Sequence, residues 1–203
     1  MSTDRLRPAP IEAWDAWRPT ELACRLKRVS RTWYVVGGWA LDLWHGFQTR
    51  EHEDLEFSAL SDDVAVFREL LGELAFFTAH AGVVEFLPKT AEPPTHVAQL
   101  WGLDTAAGYW RVDMMIERGT PSTWVYKRDP TICAARSEAI RTDEKGIAYL
   151  APAAVLLFKA KHRRPKDETD FERALPKLSL ADRGILKRWL DIAHPGHAWR
   201  DAL

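Results

Sequence analysis

Several features that would assign the chain to a particular protein class are missing from its sequence. Its 203 residues include only two cysteines, Cys24 and Cys133, which lie too far apart for a disulfide framework or a cysteine-based metal site. No apolar run approaches the roughly 20 residues needed to span a bilayer. The first ten residues carry charges and two prolines instead of the apolar segment of a secretory signal. We therefore expect a cytoplasmic protein with no membrane partner.

An excess of charge of one sign is also missing. The chain has 28 Lys and Arg residues against 29 Asp and Glu residues, which gives a formal net charge of -1. Proteins that bind nucleic acid through its phosphates normally carry a marked basic excess. We therefore expect no nucleic-acid partner. Hydrophobic residues make up 46% of the sequence, which argues against a disordered chain.

Tryptophan, in contrast, is abundant, with ten residues in the chain. Its ring is costly to expose to water and stacks well on flat ligands. The tryptophans near either end, and Trp39 and Trp44 in a predicted helix, are expected to pack within the scaffold. Trp101, Trp110 and Trp124 are candidate walls of a ligand pocket.

The hydrophobic pattern predicts an α+β fold that changes character near residue 150. Residues 11–30 are predicted to form one or two helices. Strands are predicted at 33–36, 54–58, 96–102 and 108–117, as a strand–turn–strand unit over 76–87, and as short pieces over 123–127 and 131–149. Further helices are predicted at 39–45, 62–75, 152–163, 168–174 and 180–193. The chain is thus expected to divide into a mixed part, residues 1–149, and a helical part, residues 150–203.

A glycine pair, Gly37-Gly38, follows the first predicted strand and precedes a predicted helix. Glycine lets a backbone approach a ligand closely, and the free N–H groups at a helix start attract phosphate. Gly-Gly turns are common, so this feature by itself indicates little.

Three acidic residues in predicted strands add a second kind of signal. Asp54 and Glu56 are two residues apart, so a strand directs both carboxylates to one face and Leu55 and Phe57 to the other. Two adjacent carboxylates repel each other and suit a shared Mg²⁺ ion. Asp113 lies in an otherwise apolar strand, where a carboxylate needs a partner or a metal. The alternatives are a solvated strand face for the pair and an ion pair with Arg111 for Asp113.

The order of these elements resembles that of the DNA-polymerase-β-like nucleotidyltransferase superfamily. The stretch GGWALDLWHGFQTREHEDLEF (37–57) is similar to the aminoglycoside and lincosamide nucleotidyltransferases, especially the aminoglycoside-2″-adenylyltransferase-like group. The stretch YLAPAAVLLFKAKHRRPKDETDF (149–171) resembles the helical part of the same branch. The resemblance implies a nucleotidyltransferase-type mixed sheet flanked by helices as a catalytic domain over 1–149, followed by a C-terminal helical subdomain over 150–203.

The resemblance also implies roles for the glycines and the acids. Gly37 and Gly38 match a nucleotide-binding glycine pair, although the second position is Gly here and not Ser. Asp54 and Glu56 match a catalytic, metal-binding pair, with Glu in place of the commoner Asp. Asp113 matches a third catalytic acid, which either completes the metal site or acts as general base.

Two cations complete the candidate site. Arg50 matches a residue that contacts nucleotide phosphate, and Lys159 is a candidate for neutralising the triphosphate, with Lys161 and Lys166 as weaker alternatives. In the alternative interpretations, Arg50 pairs with a neighbouring acid and the basic run around Lys159 is a solvated helix face.

The implied reaction is a Mg²⁺-dependent transfer of a nucleoside monophosphate, AMP from ATP first of all, to a hydroxyl of a small antibiotic-like acceptor. An aminoglycoside acceptor would favour an acid-lined cleft, and a lincosamide would favour aromatic walls. Two alternatives stay open: a toxin-like nucleotidyltransferase that modifies RNA or protein, and an inactive nucleotide-binding protein.

Overall fold

The computed structural model of the chain describes residues 6–203, and these residues divide into two compact units. The sheet unit comprises the residues up to 35 together with residues 51–118, and the helical unit comprises residues 36–50 and 119–203. The predicted division at residue 149 into a catalytic domain and a helical subdomain stays a prediction. No helix within the described residues is long and apolar enough to cross a membrane.

The sheet unit is built on six strands in the order β4-β3-β5-β6-β2-β1. Their bounds are β1 Trp33–Val35, β2 Glu56–Leu60, β3 Ala75–His80, β4 Val83–Phe86, β5 Gln99–Asp104 and β6 Tyr109–Glu117. Strands β2 and β6 run parallel, whereas every other neighbouring pair among these six is antiparallel. The sheet is therefore mixed, as predicted.

One face of this sheet is apolar and lies under helix α3, Val64–Leu70, which follows a 3-10 turn at Ser61–Asp63. Phe57, Met114 and Phe67 are fully buried on this side. The helix predicted over 62–75 ends earlier because Ala75 already pairs with Leu103 of β5.

Gly102 of β5 shows how tightly this face is packed. An added Cβ atom would lie 2.8 Å from Leu74 and 2.9 Å from the Val112 side chain. A larger side chain at this position would therefore force the Leu74 and Val112 side chains to move.

Helix α1 comprises Pro19–Arg25. The segment that precedes it is extended instead of helical and runs along β6. The Trp110 main-chain N–H donates to the Ala13 carbonyl at 2.8 Å, and its indole N–H donates to the Pro10 carbonyl at 2.8 Å. Trp110 is completely buried beside Trp14 and Phe77. The prediction of helices over 11–30 is therefore wrong outside α1, and Trp110 is a packing residue and not a pocket wall.

The helical unit contains five further helices and two strand pairs among the described residues. The helices are α2 Gly37–His45, α4 Arg136–Ala139, α5 Pro152–Ala160, α6 Pro165–Ala174 and α7 Leu180–Ala193, with 3-10 turns at Leu175–Lys177 and Ala198–Ala202. Strand β7 Thr123–Val125 pairs with β8 Cys133–Ala135, and β9 Ile140–Thr142 pairs with β10 Ala148–Leu150. Helix α5 is central, since it packs against α2, α6 and α7 and buries all but one of its nine residues.

The fold of this unit corrects two further predictions. Helix α6 begins at Pro165 and not at residue 168, because proline suits the first helical position and Asp167 accepts a hydrogen bond from the Arg164 main-chain N–H at 3.1 Å. Trp124 is buried against Trp189 and Phe158, with ring centroids 5.6 and 6.3 Å away, so it is not an exposed pocket wall.

Candidate active site

Two of the three predicted acids occupy neighbouring positions on parallel strands. Glu56 of β2 and Asp113 of β6 are Cα partners, so their side chains project from the same face of the sheet. The Asp113 N–H donates to the Leu55 carbonyl at 2.8 Å, which fixes this register. Asp54 lies two residues before Glu56, and both are half-buried, whereas Leu55 and Phe57 are fully buried. This alternation agrees with the expectation that the two acids share one face.

Asp113 itself is 4% exposed, so its carboxylate is held inside the protein. Its Oδ2 atom accepts a hydrogen bond from the Gln99 amide at 3.0 Å. Arg111 donates instead to Asp104 and Asp15, so the alternative in which Arg111 is the partner of Asp113 is wrong. Gln99 was missed by the sequence analysis, although its place in the strand paired with β6 would have pointed to it.

The same face of β6 carries a further buried acid, Glu117. Its Oε2 atom accepts a 2.6 Å hydrogen bond from the Tyr34 hydroxyl of β1. The polar groups on this face of the sheet unit therefore extend beyond the predicted acids to the end of β6.

The glycine pair opens helix α2 in the helical unit, as predicted. Gly37 has φ +64°, a left-handed conformation that a residue with a Cβ adopts only at a cost. Gly46, with φ +83°, ends the helix. The main-chain N–H groups of the first turn of α2 have no earlier helical carbonyl to bind, which is the feature that phosphate sites use.

The predicted cations, Arg50 and Lys159, meet at one carboxylate of the helical unit. The Arg50 guanidinium donates through Nε to Asp170 Oδ1 at 3.0 Å and through Nη2 to Oδ2 at 3.1 Å. The Lys159 ammonium lies 2.8 Å from Asp170 Oδ2 and 3.3 Å from Asp167 Oδ1. Arg50 is thus paired with an acid 120 residues away, and Lys159, at 8% exposed, does not lie on a solvated helix face.

Charge pairing controls the protonation of these buried groups. Burial alone would raise the pKa of Asp170, but the Arg50 hydrogen bonds and the Lys159 charge outweigh it and hold the pKa below its usual value. Burial would also raise the pKa of Asp167, but the Arg164 hydrogen bonds and the Lys159 charge outweigh it and lower the pKa. Both carboxylates are therefore ionised at neutral pH. Sequence reasoning missed both, because the stretch KDETD reads as an exposed charged helix.

The carboxylates of the sheet unit suit a magnesium ion that arrives with a nucleotide. Within residues 6–203, no three His, Cys, Asp or Glu side chains converge to form a ready-made metal site. Mg²⁺ is usually bound through one or two carboxylates together with substrate phosphates, and seldom by a complete protein cage. Glu56, with Asp54 two residues before it and Asp113 beside it on the next strand, could provide such ligands.

The fold is similar to that of ANT(2″)-Ia. The crystal structure of ANT(2″)-Ia in complex with adenylyl-2″-tobramycin matches with a TM-score of 0.58 at 10% identity, over 85% of this chain and 95% of that chain. The solution structure of ANT(2″)-Ia matches with a TM-score of 0.53 at 12% identity, over 88% and 94%. At such identities the likeness concerns the fold, and it confirms the predicted mixed sheet flanked by helices.

At the level of sequence, residues 20–121 match the family model of the aminoglycoside-2″-adenylyltransferases, which is half of the chain. No curated protein sequence matches. The matched range includes the glycine pair, Arg50 and the three acids, whereas Lys159 lies outside it. The chain therefore belongs to the aminoglycoside-2″-adenylyltransferase family and is a nucleotidyltransferase.

Proposed function

We propose that the chain transfers AMP from ATP to a hydroxyl group of an aminoglycoside in a Mg²⁺-dependent reaction. The observation that carries the proposal is the in-register pair of Glu56 and Asp113 on parallel strands, inside the range matched by the family. A phosphoryl-type displacement depends mainly on positioning and charge neutralisation, which is what such carboxylates provide.

In this proposal Asp54 and Glu56 would hold the metal, and Asp113 would receive the proton of the acceptor hydroxyl or add a third metal ligand. When bound, Mg²⁺ would neutralise charge on the triphosphate. The acceptor oxygen attacks the α-phosphorus, the bond from that phosphorus to the pyrophosphate oxygen breaks, and the hydroxyl proton passes to the base. Gln99 orients the Asp113 carboxylate through its hydrogen bond to Oδ2.

The helical unit supplies positive charge in the proposal. Arg50 and Lys159 would balance the charge of the pyrophosphate as it leaves. The N–H groups at Gly37 and Gly38 would bind phosphate oxygens, with the left-handed Gly37 allowing a close backbone approach.

An aminoglycoside is proposed as the acceptor on the strength of the family match and of charge. Aminoglycosides are polycations, and a polar sheet face that carries Glu56, Asp113 and Glu117 favours a cation over an uncharged molecule. ANT(2″)-Ia, which has a similar fold, was crystallised with adenylyl-2″-tobramycin, so the 2″-hydroxyl is the first position to test. A lincosamide is less suited as acceptor. Two of the three tryptophans expected to form aromatic walls for it, Trp110 and Trp124, are buried in packing.

The test is transfer by the purified full chain with ATP and Mg²⁺ against a panel of aminoglycosides, including tobramycin, and a lincosamide. We expect pyrophosphate release and a product carrying one adenylyl group with at least one aminoglycoside, and neither without Mg²⁺. Glu56→Gln should abolish transfer, whereas Glu85→Gln, an exposed change on β4, should leave it unchanged. Absence of product with every aminoglycoside would refute the acceptor class, and transfer to the lincosamide alone would replace it.

A further inference from the structure

Helix α6 places two carboxylates inside the helical unit. Asp167 and Asp170 are three residues apart, so they lie on one side of the helix, and they are 0% and 4% exposed. Burying a carboxylate is costly unless strong donors compensate for the lost water. The contacts of these two acids therefore show which cationic side chains helix α6 binds.

Asp170 holds two cations in a defined geometry. The two parallel N–H···O bonds from Arg50, at 3.0 and 3.1 Å, fix the plane of the guanidinium group as well as its position. Lys159 of α5 binds the same Oδ2 atom at 2.8 Å, and Asp167 holds that ammonium from a second side at 3.3 Å.

The main chain around Arg50 is also fixed. The Thr49 N–H and hydroxyl both donate to Asp42 Oδ1 of α2, at 3.0 and 2.5 Å. Arg173 of α6 donates to the Thr49 carbonyl at 2.8 Å, and the Gln48 amide donates to the Arg50 carbonyl at 2.9 Å. An ordinary surface ion pair has no such support, and long side chains in surface pairs keep much of their freedom.

We propose that Asp170 is a positioning residue, which orients the Arg50 guanidinium and the Lys159 ammonium for binding the nucleotide triphosphate. The inference rests on the proposed function for the identity of the ligand. Asp170 does not touch the nucleotide, and it acts through the two cations. Without it these like charges repel each other, so both lose the geometry that a polyphosphate would match.

The test compares Asp170→Asn with Arg50→Lys and with the double variant. D170N keeps the shape of the side chain and removes its charge, whereas R50K keeps the charge and removes the bidentate contact. Each single variant should weaken MgATP binding, measured by calorimetry, about tenfold and raise the nucleotide KM by a similar factor, with the acceptor KM within about twofold. The double variant should bind MgATP about as weakly as the more strongly affected single variant, because both substitutions disrupt the same geometry.

Asp182→Asn is the matched control for a general loss of stability. Asp182 is also a buried carboxylate of the helical unit, but it belongs to α7 and accepts hydrogen bonds from Arg141 and from the Ser179 hydroxyl. D182N should lower the thermal midpoint and leave the nucleotide affinity unchanged. If D170N does not fold, R50K carries the test by itself, and a nucleotide affinity equal to that of the wild type would overturn the proposal.

The outcomes separate this inference from the proposed function. If no acceptor is adenylylated but D170N and R50K both weaken MgATP binding, the acceptor is wrong and the role of Asp170 stands. If transfer occurs and D170N leaves both nucleotide affinity and nucleotide KM unchanged, Asp170 is a structural ion-pair partner only. Single effects that multiply in the double variant would likewise overturn the positioning role.

Discussion

Asp113 of the sheet unit and Asp170 of the helical unit are both 4% exposed, but they are held by different kinds of donor. Asp113 accepts a hydrogen bond from the neutral amide of Gln99, whereas Asp170 is bound by two cations, Arg50 and Lys159. A neutral donor orients a carboxylate without cancelling its charge, and two cationic donors cancel it. The difference agrees with the proposed roles, in which Asp113 takes part in the transfer and Asp170 positions other side chains.

The comparison is tested most strongly by Asp113→Asn. Loss of the carboxylate should lower the rate of transfer roughly 10³-fold, the scale of general acid–base catalysis, with little loss of stability. The rate is measured under single-turnover conditions, and the thermal midpoint is measured on the same sample. Retention of more than about a tenth of the wild-type rate would mean that Asp113 is neither base nor metal ligand.

Asp170→Ala should show the opposite balance, with a large effect on stability. Removing one partner of a buried ion pair leaves the other charges uncompensated and costs about 3–5 kcal/mol. Urea unfolding of the full chain measures this loss. Asp104→Ala in the sheet unit, which breaks a more exposed pair with Arg111, should cost clearly less. Equal losses in the two variants would contradict the distinction between the two aspartates.

Gln99→Leu tests the role of the amide that donates to Asp113. The leucine leaves Asp113 without its amide donor, and a hydrogen bond to a charged group contributes about 1.5–3 kcal/mol, so transfer should fall by roughly tenfold or more. Thr78→Val, which removes a side-chain hydrogen bond to the Glu85 carbonyl of β4 and leaves the Gln99–Asp113 hydrogen bond in place, should have no such effect. Steady-state kcat for both variants gives the answer, and equal values would remove Gln99 from the site.

Mild acid is expected to have the smallest effect, and it acts on the helical unit. Burial lowers the pKa of His45, His194 and His197 from the ordinary value of 6.5. The unfolded chain therefore takes up protons before the folded chain, and stability should fall as the pH drops below about 6.5.

His197 offers a specific check on this pH dependence. Its Nδ1 accepts the Trp199 N–H at 3.1 Å and its Nε2 lies 3.0 Å from the Ala160 carbonyl, an arrangement that fits the neutral ring with its proton on Nε2. The thermal midpoint should decline by a few degrees between about pH 7.5 and 5.5, and less steeply in His197→Asn. A thermal midpoint that rises on acidification would contradict this prediction.

The sequence was most informative where a local pattern determines the structure. The alternation of Asp54, Leu55 and Glu56 predicted the face of each side chain, and the Gly37-Gly38 pair marked the start of α2. These features depend on a few neighbouring residues, so they are readable in one chain.

Features that depend on distant contacts were not readable. Trp110 is buried because residues 10–17 lie along β6, a pairing that no local pattern indicates. Asp170 is buried because α5 and the segment at Arg50 pack against α6. A charged helix with two internal aspartates looks the same in sequence as one whose aspartates face water.

The stacking of Trp199 on Phe171 has a consequence for the local opening of the protein. The two rings are 4.2 Å apart and 2° from parallel, and the Trp199 indole donates to Glu168 at 2.7 Å. Helix α6 is therefore joined to the turn at Ala198–Ala202 through Phe171. Phe171 directly follows Asp170, which binds Arg50 and Lys159. Amide hydrogens of α6 and of that turn should exchange with solvent as one cooperative group.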